Sequence, residues 1–127
     1  MLTGSKATAM LPVVDMKRAR RFYEETLKLR TSRAREGGDV HYDVGGTDVA
    51  LYPRSTPTKA DHTALTFEVQ NLDGEMRDLR GRGVRFEDYD MPGLKTTDGV
   101  ATLEGERAAW FRDPEGNILC LHQGTTH

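Results

Sequence analysis

Three histidines, one cysteine and one tryptophan carry most of the chemistry available to this 127-residue chain: His41, His62, His122, Cys120 and Trp110. An imidazole titrates near neutrality, so each histidine can pass a proton or ligate a metal. Cys120 is a nucleophile only as a thiolate, and no neighbour in the sequence activates it. A buried, inert thiol is the expectation. Trp110 offers a large flat face on which a planar or cationic ligand can stack. Met10 and Tyr52 can complete an apolar wall around such a ligand. These residues are scattered from one end of the chain to the other, so any joint role depends on the elements that carry them.

The first half reads as β-α-β-β-β. Residues 7–14 form an apolar run that ends at Asp15, a good helix N-cap. Met16, Ala19, Phe22, Tyr23 and Leu27 then recur at helical spacing. Glu24 and Lys28 are placed for an i,i+4 ion pair. Strands follow at 31–36, 40–44 and 48–52, separated by Gly37-Gly38 and Gly45-Gly46, which suit hairpin turns.

The second half repeats that order. Residues 62–69 alternate as a strand, and Asn71 is an N-cap candidate. Leu72, Met76 and Leu79 mark a helix that Gly81 and Gly83 can end. Strands are expected at 84–86, 107–111 and 117–122, with Asp113-Pro114-Glu115-Gly116-Asn117 as the tight reversal between the last two. Asp15 matches Asn71, and Gly45-Gly46 matches Gly116-Asn117, a repeat of pattern more than of identity. The expected organisation is one domain, 1–127, with a first module at 7–52, a linker at 53–61 and a second module at 62–123. A long connection at 87–105 interrupts the second module, as functional loops often do. With its acidic residues it is expected to be a lid over a cavity or a contact with a partner chain. Acidic residues there favour a cationic ligand, whereas Arg33 and Arg35 argue the other way. Arg77, Arg80, Arg82 and Arg85 are expected on the outer face of a helix end.

Strand alternation assigns the side chains to faces. Leu11, Val13, Val40, Tyr42, Val44, Val49 and Leu51 belong to a face packed on helices. So do Thr63, Leu65, Phe67, Val69, Ala109, Phe111, Leu119 and Leu121. The opposite face collects Thr8, Met10, His41, Asp43, Asp48, Ala50, Tyr52, His62, Ala64, Thr66, Ala108, Trp110, Ile118, Cys120 and His122. This mixture of small, aromatic and polar groups suits a ligand cavity.

The bulk properties exclude several classes. A net charge of −2 with thirteen scattered arginines leaves no nucleic-acid footprint. No apolar stretch approaches the ~20 residues that cross a bilayer, and no secretory signal or lipidation motif is evident. One cysteine permits no intrachain disulfide and fits a reducing cytoplasm.

Two stretches resemble the vicinal oxygen chelate superfamily, the glyoxalase/bleomycin-resistance/dioxygenase fold. They are Val14-Asp15-Met16 through Arg21-Phe22-Tyr23-Glu24-Glu25-Thr26-Leu27, and Trp110-Phe111-Arg112-Asp113-Pro114-Glu115-Gly116-Asn117-Ile118-Leu119. The resemblance implies an α+β fold in which two βαβββ modules form a curved mixed sheet, or half-barrel, around a cavity, with helices outside. It implies a homodimer as well. Family members often carry glycine after the last leucine of the first helix, where this chain has Lys28. Metal-dependent members take their ligands from positions that fall here at Thr8, Ala50, Ala64 and Cys120, a set that cannot hold a divalent ion.

The reading that follows is a metal-free protein, without a cofactor, that sequesters a hydrophobic or aromatic small molecule. Its expected ligand-binding residues are Met10, His41, Tyr52, His62, Trp110, Cys120 and His122. The alternative is a metal-dependent lyase or dioxygenase-like enzyme with a displaced site, using Tyr52, His62 and His122 with Asp43 or His41. Without a metal, proton transfer would fall to His62 or His122.

Overall fold

A computed structural model describes residues 1–124; the last three residues of the expected 1–127 domain lie outside the described residues. The chain folds as two compact units, 1–59 and 60–127. Each contains one four-stranded mixed sheet with a helix, which makes the fold α+β.

In the first unit, β1 (Thr8–Val13) leads into α1 (Met16–Arg21), and the chain continues through a π-helical turn at Phe22–Thr26. The Asp15 carboxylate caps α1 by accepting from the Arg18 N–H at 3.1 Å. Strands β2 (Arg30–Ala34), β3 (Val40–Val44) and β4 (Thr47–Pro53) complete the sheet in the order β1-β4-β3-β2. β1 lies parallel to β4, and the other pairs are antiparallel. Alternation buries Leu11, Val13, Val40, Tyr42, Val49 and Leu51 on one face, together with Ala19 and Tyr23. Each such large apolar side chain contributes about 1.5–3 kcal/mol by leaving water. The Tyr23 and Tyr42 rings stack at 6.1 Å. The expected Glu24–Lys28 pair does not form. Lys28 lies beyond the π-helical turn at φ +60°, and Glu24 instead holds Arg20 at 2.7 Å and accepts from the Tyr42 hydroxyl at 2.7 Å.

The second unit runs β5 (Thr63–Glu68), α2 (Leu72–Gly81), a small hairpin of β6 (Asp90–Met91) and β7 (Leu94–Lys95), then β8 (Ala101–Leu103), β9 (Glu106–Arg112) and β10 (Ile118–Gln123). Its sheet has the order β5-β10-β9-β8, with β5 parallel to β10. The two sheets therefore share one topology, as the repeat pattern implied, and neither closes on itself. Asn71 caps α2 through the Gly74 N–H at 3.1 Å, and α2 buries Leu72, Met76 and Leu79. The second strand of this module's sheet is not at 84–86, which makes only one bridge, Phe86 to Phe111. It is β8, from within the 87–105 connection. Residues 84–86 lack a run long enough to form a ladder, and β8 instead pairs with β9 through the Leu103–Glu106 turn.

The reversal between β9 and β10 is built around Asp113, which is buried. Its Oδ1 accepts from the N–H groups of Glu115 and Asn117 at 2.9 and 2.8 Å, and its Oδ2 accepts from the Asn117 side chain at 2.8 Å. Gly116 adopts φ +93°, which the turn requires and a side chain would resist.

Candidate functional site

In the second unit, Trp110, Ala108 and Glu106 alternate along one face of β9, beside Ile118, Cys120 and His122 of β10. The register sets Cys120 opposite Trp110 and His122 opposite Ala108. On the other side of β10, Glu68 of β5 lies opposite His122, and Thr66 lies opposite Cys120. The result is an imidazole between two carboxylates. His122 Nδ1 meets Glu68 Oε1 at 2.7 Å, and Nε2 meets Glu106 Oε1 at 2.7 Å. Both ring nitrogens must donate to satisfy this geometry, which is the imidazolium form. The Glu68 hydrogen bond raises the His122 pKa above its ordinary value. Burial opposes the rise, and the Glu106 bond adds to it.

A cavity of about 300 Å³ opens beside this group, lined by Trp110, His122, Ala108, Glu106, Leu94 and Leu103 among others. The Trp110 indole N–H donates to Thr63 Oγ1 at 3.1 Å, and Tyr89 packs edge-on against the ring at 5.8 Å. Thr63 was expected on the helix-packed face. A β-bulge changes that: Ile118 pairs with Thr63 but Leu119 pairs with Leu65, so one residue of β5 is skipped and Thr63 turns to the Trp110 side. Cys120 is buried, donates weakly to the Leu121 carbonyl at 3.4 Å, and has its thiol pushed up to about 11 by burial. It is a protonated packing residue at neutral pH. His62 is exposed at the start of β5, with Nδ1 3.2 Å from the Thr63 carbonyl, and does not line the cavity.

The remaining expected residues lie in the first unit. Met10 is 46% exposed on β1, and Tyr52 is half-buried on β4. His41 is buried and fully engaged: Nδ1 meets both Asp48 oxygens at 3.0 Å, and Nε2 meets Arg33 Nη2 at 3.1 Å. A guanidinium only donates, so Nε2 presents its lone pair and Nδ1 carries the hydrogen given to Asp48. Thr8 Oγ1 also donates to Asp48, at 2.6 Å. That bond first, and His41 after it, hold the Asp48 carboxylate below its usual range.

The structure also tests the four positions at which the fold family places metal ligands. Ala50 is completely buried and, like Ala64, offers no donor atom. The Thr8 hydroxyl is committed to Asp48, and the Cys120 thiol is protonated. These residues do not fit a divalent ion. Among the described residues, no group of three or more His, Cys, Asp or Glu side chains is arranged to hold one elsewhere.

Glu68 and Glu106 are the site residues that sequence reasoning missed. Their signal was present: Glu68 continues the alternation of Ala64 and Thr66, and Glu106 precedes Ala108 by two positions. What was lacking was the pairing of three strands that brings both to His122.

The profile of the Glyoxalase/Bleomycin resistance protein/Dioxygenase superfamily matches residues 7–121, and the chain belongs to that superfamily. Among solved structures, it is similar to a putative glyoxalase family protein from Bacillus anthracis, with 15% identity, 95% of each chain covered and a TM-score of 0.76. It is also similar to a lactoylglutathione lyase from Agrobacterium tumefaciens (16% identity, 95% of this chain and 94% of that one, TM-score 0.73). A third is the fosfomycin resistance protein FosX from Listeria monocytogenes (16% identity, 98% and 94% covered, TM-score 0.76). At these identities the likeness is one of fold. Among curated proteins, none matches the chain by sequence. No helix among the described residues is long and apolar enough to cross a membrane.

Proposed function

We propose that this protein binds a hydrophobic or aromatic small molecule in the second module, without a metal ion. The observation that carries the reading is the cavity of about 300 Å³ in which Trp110 and the carboxylate-clamped His122 share one wall. Its volume is at the lower end of small-molecule sites. Leu94, Leu103, Ala108 and the indole supply apolar contact, and the Glu106 and His122 pair gives the wall a polar, charged edge. Met10, His41 and Tyr52 are the ligand-contact candidates of the first module, taken by itself. His41 is the least suited, because it is buried between Arg33 and Asp48 of its own sheet.

The four substituted ligand positions support metal independence. Elemental analysis of purified protein is expected to find no stoichiometric transition metal; one bound per chain that is lost in His122→Ala would overturn the reading. Trp110 fluorescence, titrated with a panel of planar compounds, should be quenched saturably by some members, and Ala108→Trp, which fills the cavity, should abolish the response. A response that is flat across the panel counts against the proposal. The reading extends to a cytoplasmic homodimer, which light scattering of the purified protein tests.

One observation favours a second reading. The Glu68 and Glu106 carboxylates raise the His122 pKa above its ordinary value and so favour its protonated form, which can serve as a general acid when one of the two bonds yields to a ligand. Metal-independent proton transfer to a bound ligand would then depend on His122, and His122→Gln would eliminate turnover while leaving Trp110 quenching intact.

A further inference from the structure

A second cavity, of about 550 Å³, lies between α2 and the segment from β7 to β9 in the same unit. It adjoins the cavity beside Trp110, with Lys95, Thr102 and Arg107 lining both, and is set apart from it by Asp73, Met76, Arg80, Asp98 and Val100, which line this cavity alone. Met76 and Val100 give it an apolar floor, and Arg80, Lys95 and Arg107 give it three cations. Arg107 is committed, with a two-pronged pair to Asp73 at 2.8 and 3.1 Å. Arg80 is positioned but not saturated. One N–H donates to the Asp98 carbonyl at 3.0 Å, and its guanidinium lies 5.3 Å from the centre of the Phe86 ring. A guanidinium has five N–H donors, so most of its capacity remains. Gly99 leaves room for it: a Cβ there would lie 3.2 Å from the Arg80 guanidinium and 3.1 Å from Phe86.

The Lys95 side chain has no ion-pair or hydrogen-bond partner among the described residues. With Asp73 taken by Arg107, Arg80 and Lys95 face a single unpaired carboxylate, Asp98, and the cavity keeps an excess of positive charge. We infer that this cavity is a second binding site, for a small organic anion: a carboxylate or phosphate held by Arg80 and Lys95, with an apolar body resting on Met76 and Val100. A cation pair of this kind gives charge-assisted hydrogen bonds to an oxyanion. The volume exceeds what inorganic phosphate alone would occupy, so the apolar floor is part of the recognition.

The probe is phenyl phosphate, followed through the Met76 ε-methyl NMR signal. Met76 lines this cavity and not the one beside Trp110. Benzoate, benzyl alcohol and inorganic phosphate are the comparison arms. The expected result is a saturable Met76 shift with phenyl phosphate or benzoate, and which of the two is tighter identifies the oxyanion preferred. Inorganic phosphate should bind more weakly and benzyl alcohol not at all. Lys95 is exposed and unpartnered, so Lys95→Met should fold normally and weaken binding about threefold to fivefold. Arg80→Gln should weaken it further, with the folded spectrum as its control. Trp110→Phe should leave the Met76 titration unchanged, which separates this site from the aromatic one. A Met76 shift that does not saturate, that is equal for benzyl alcohol, or that is unaffected by Lys95→Met would overturn the inference.

Discussion

The two modules share a topology but place a buried or half-buried histidine in opposite electrostatic settings. In the first, His41 stands between a cation and an anion, Arg33 and Asp48. In the second, His122 stands between two anions, Glu68 and Glu106. Arg33 demands a lone pair from His41, which fixes a neutral tautomer. Two carboxylates demand two N–H groups from His122, which favours the cation. One sheet architecture therefore holds one imidazole neutral and favours the cation of the other, and the difference comes from which side chains the neighbouring strands present. The turns diverge in the same way. The β3–β4 turn uses one exposed carboxylate, with Asp43 accepting from the Gly46 N–H at 3.0 Å, whereas the β9–β10 turn encloses Asp113 and satisfies it several times over.

The largest effect should come from the turns. Asp113→Ala leaves two backbone N–H groups and the Asn117 amide without their acceptor in a buried setting, and is expected to cost about 3 kcal/mol. Asp43→Ala, in the exposed turn, should cost less than about 1 kcal/mol. Chemical denaturation of both variants measures the contrast, and equal losses would show that the two reversals contribute alike.

The histidine contrast can be broken by pH. Because the His122 pKa is raised on folding, the clamp contributes its full stabilisation below the ordinary histidine value of about 6.5. The contribution is lost as pH rises through the folded value. The window thus opens near 6.5 and extends upward. NMR titration should show His122 titrating above a free imidazole and returning toward it in the Glu68→Gln/Glu106→Gln variant. The stability gap between that variant and the parent should be wider at pH 6 than at pH 9. His41 should display the Nδ1–H tautomer in nitrogen-detected spectra. If the two imidazoles behaved alike, the comparison would fail.

The smallest effect concerns the exit of the first helix. Lys28 sits at φ +60°, a conformation that costs a side-chain-bearing residue about 1 kcal/mol. Lys28→Gly should therefore raise stability by up to about 1 kcal/mol, read as a small increase in Tm.

Much of the architecture was legible because it is local. Asp15 and Asn71 cap helices through atoms three residues away. Gly45, Gly46 and Gly116 take the positive φ values their turns need, and alternation alone separated Leu11, Val13, Val49 and Leu51 from Met10 and Ala50. The errors have physical causes of their own. Lys28 fell outside the helical register when the helix widened into a π-helical turn. Thr63 changed face because a bulge breaks strict alternation. The strand expected at 84–86 was displaced by β8, whose partner is supplied by a hairpin and not by its own propensity.

The amino-acid order by itself determined the two-module plan, the caps and the reversals, since each depends on residue type or on spacing within a few residues. The meeting of Glu68, Glu106 and His122 was decided only in the tertiary structure. These residues are separated by up to 54 positions along the chain, and only the register of β5, β10 and β9 converts that separation into hydrogen-bonding distance.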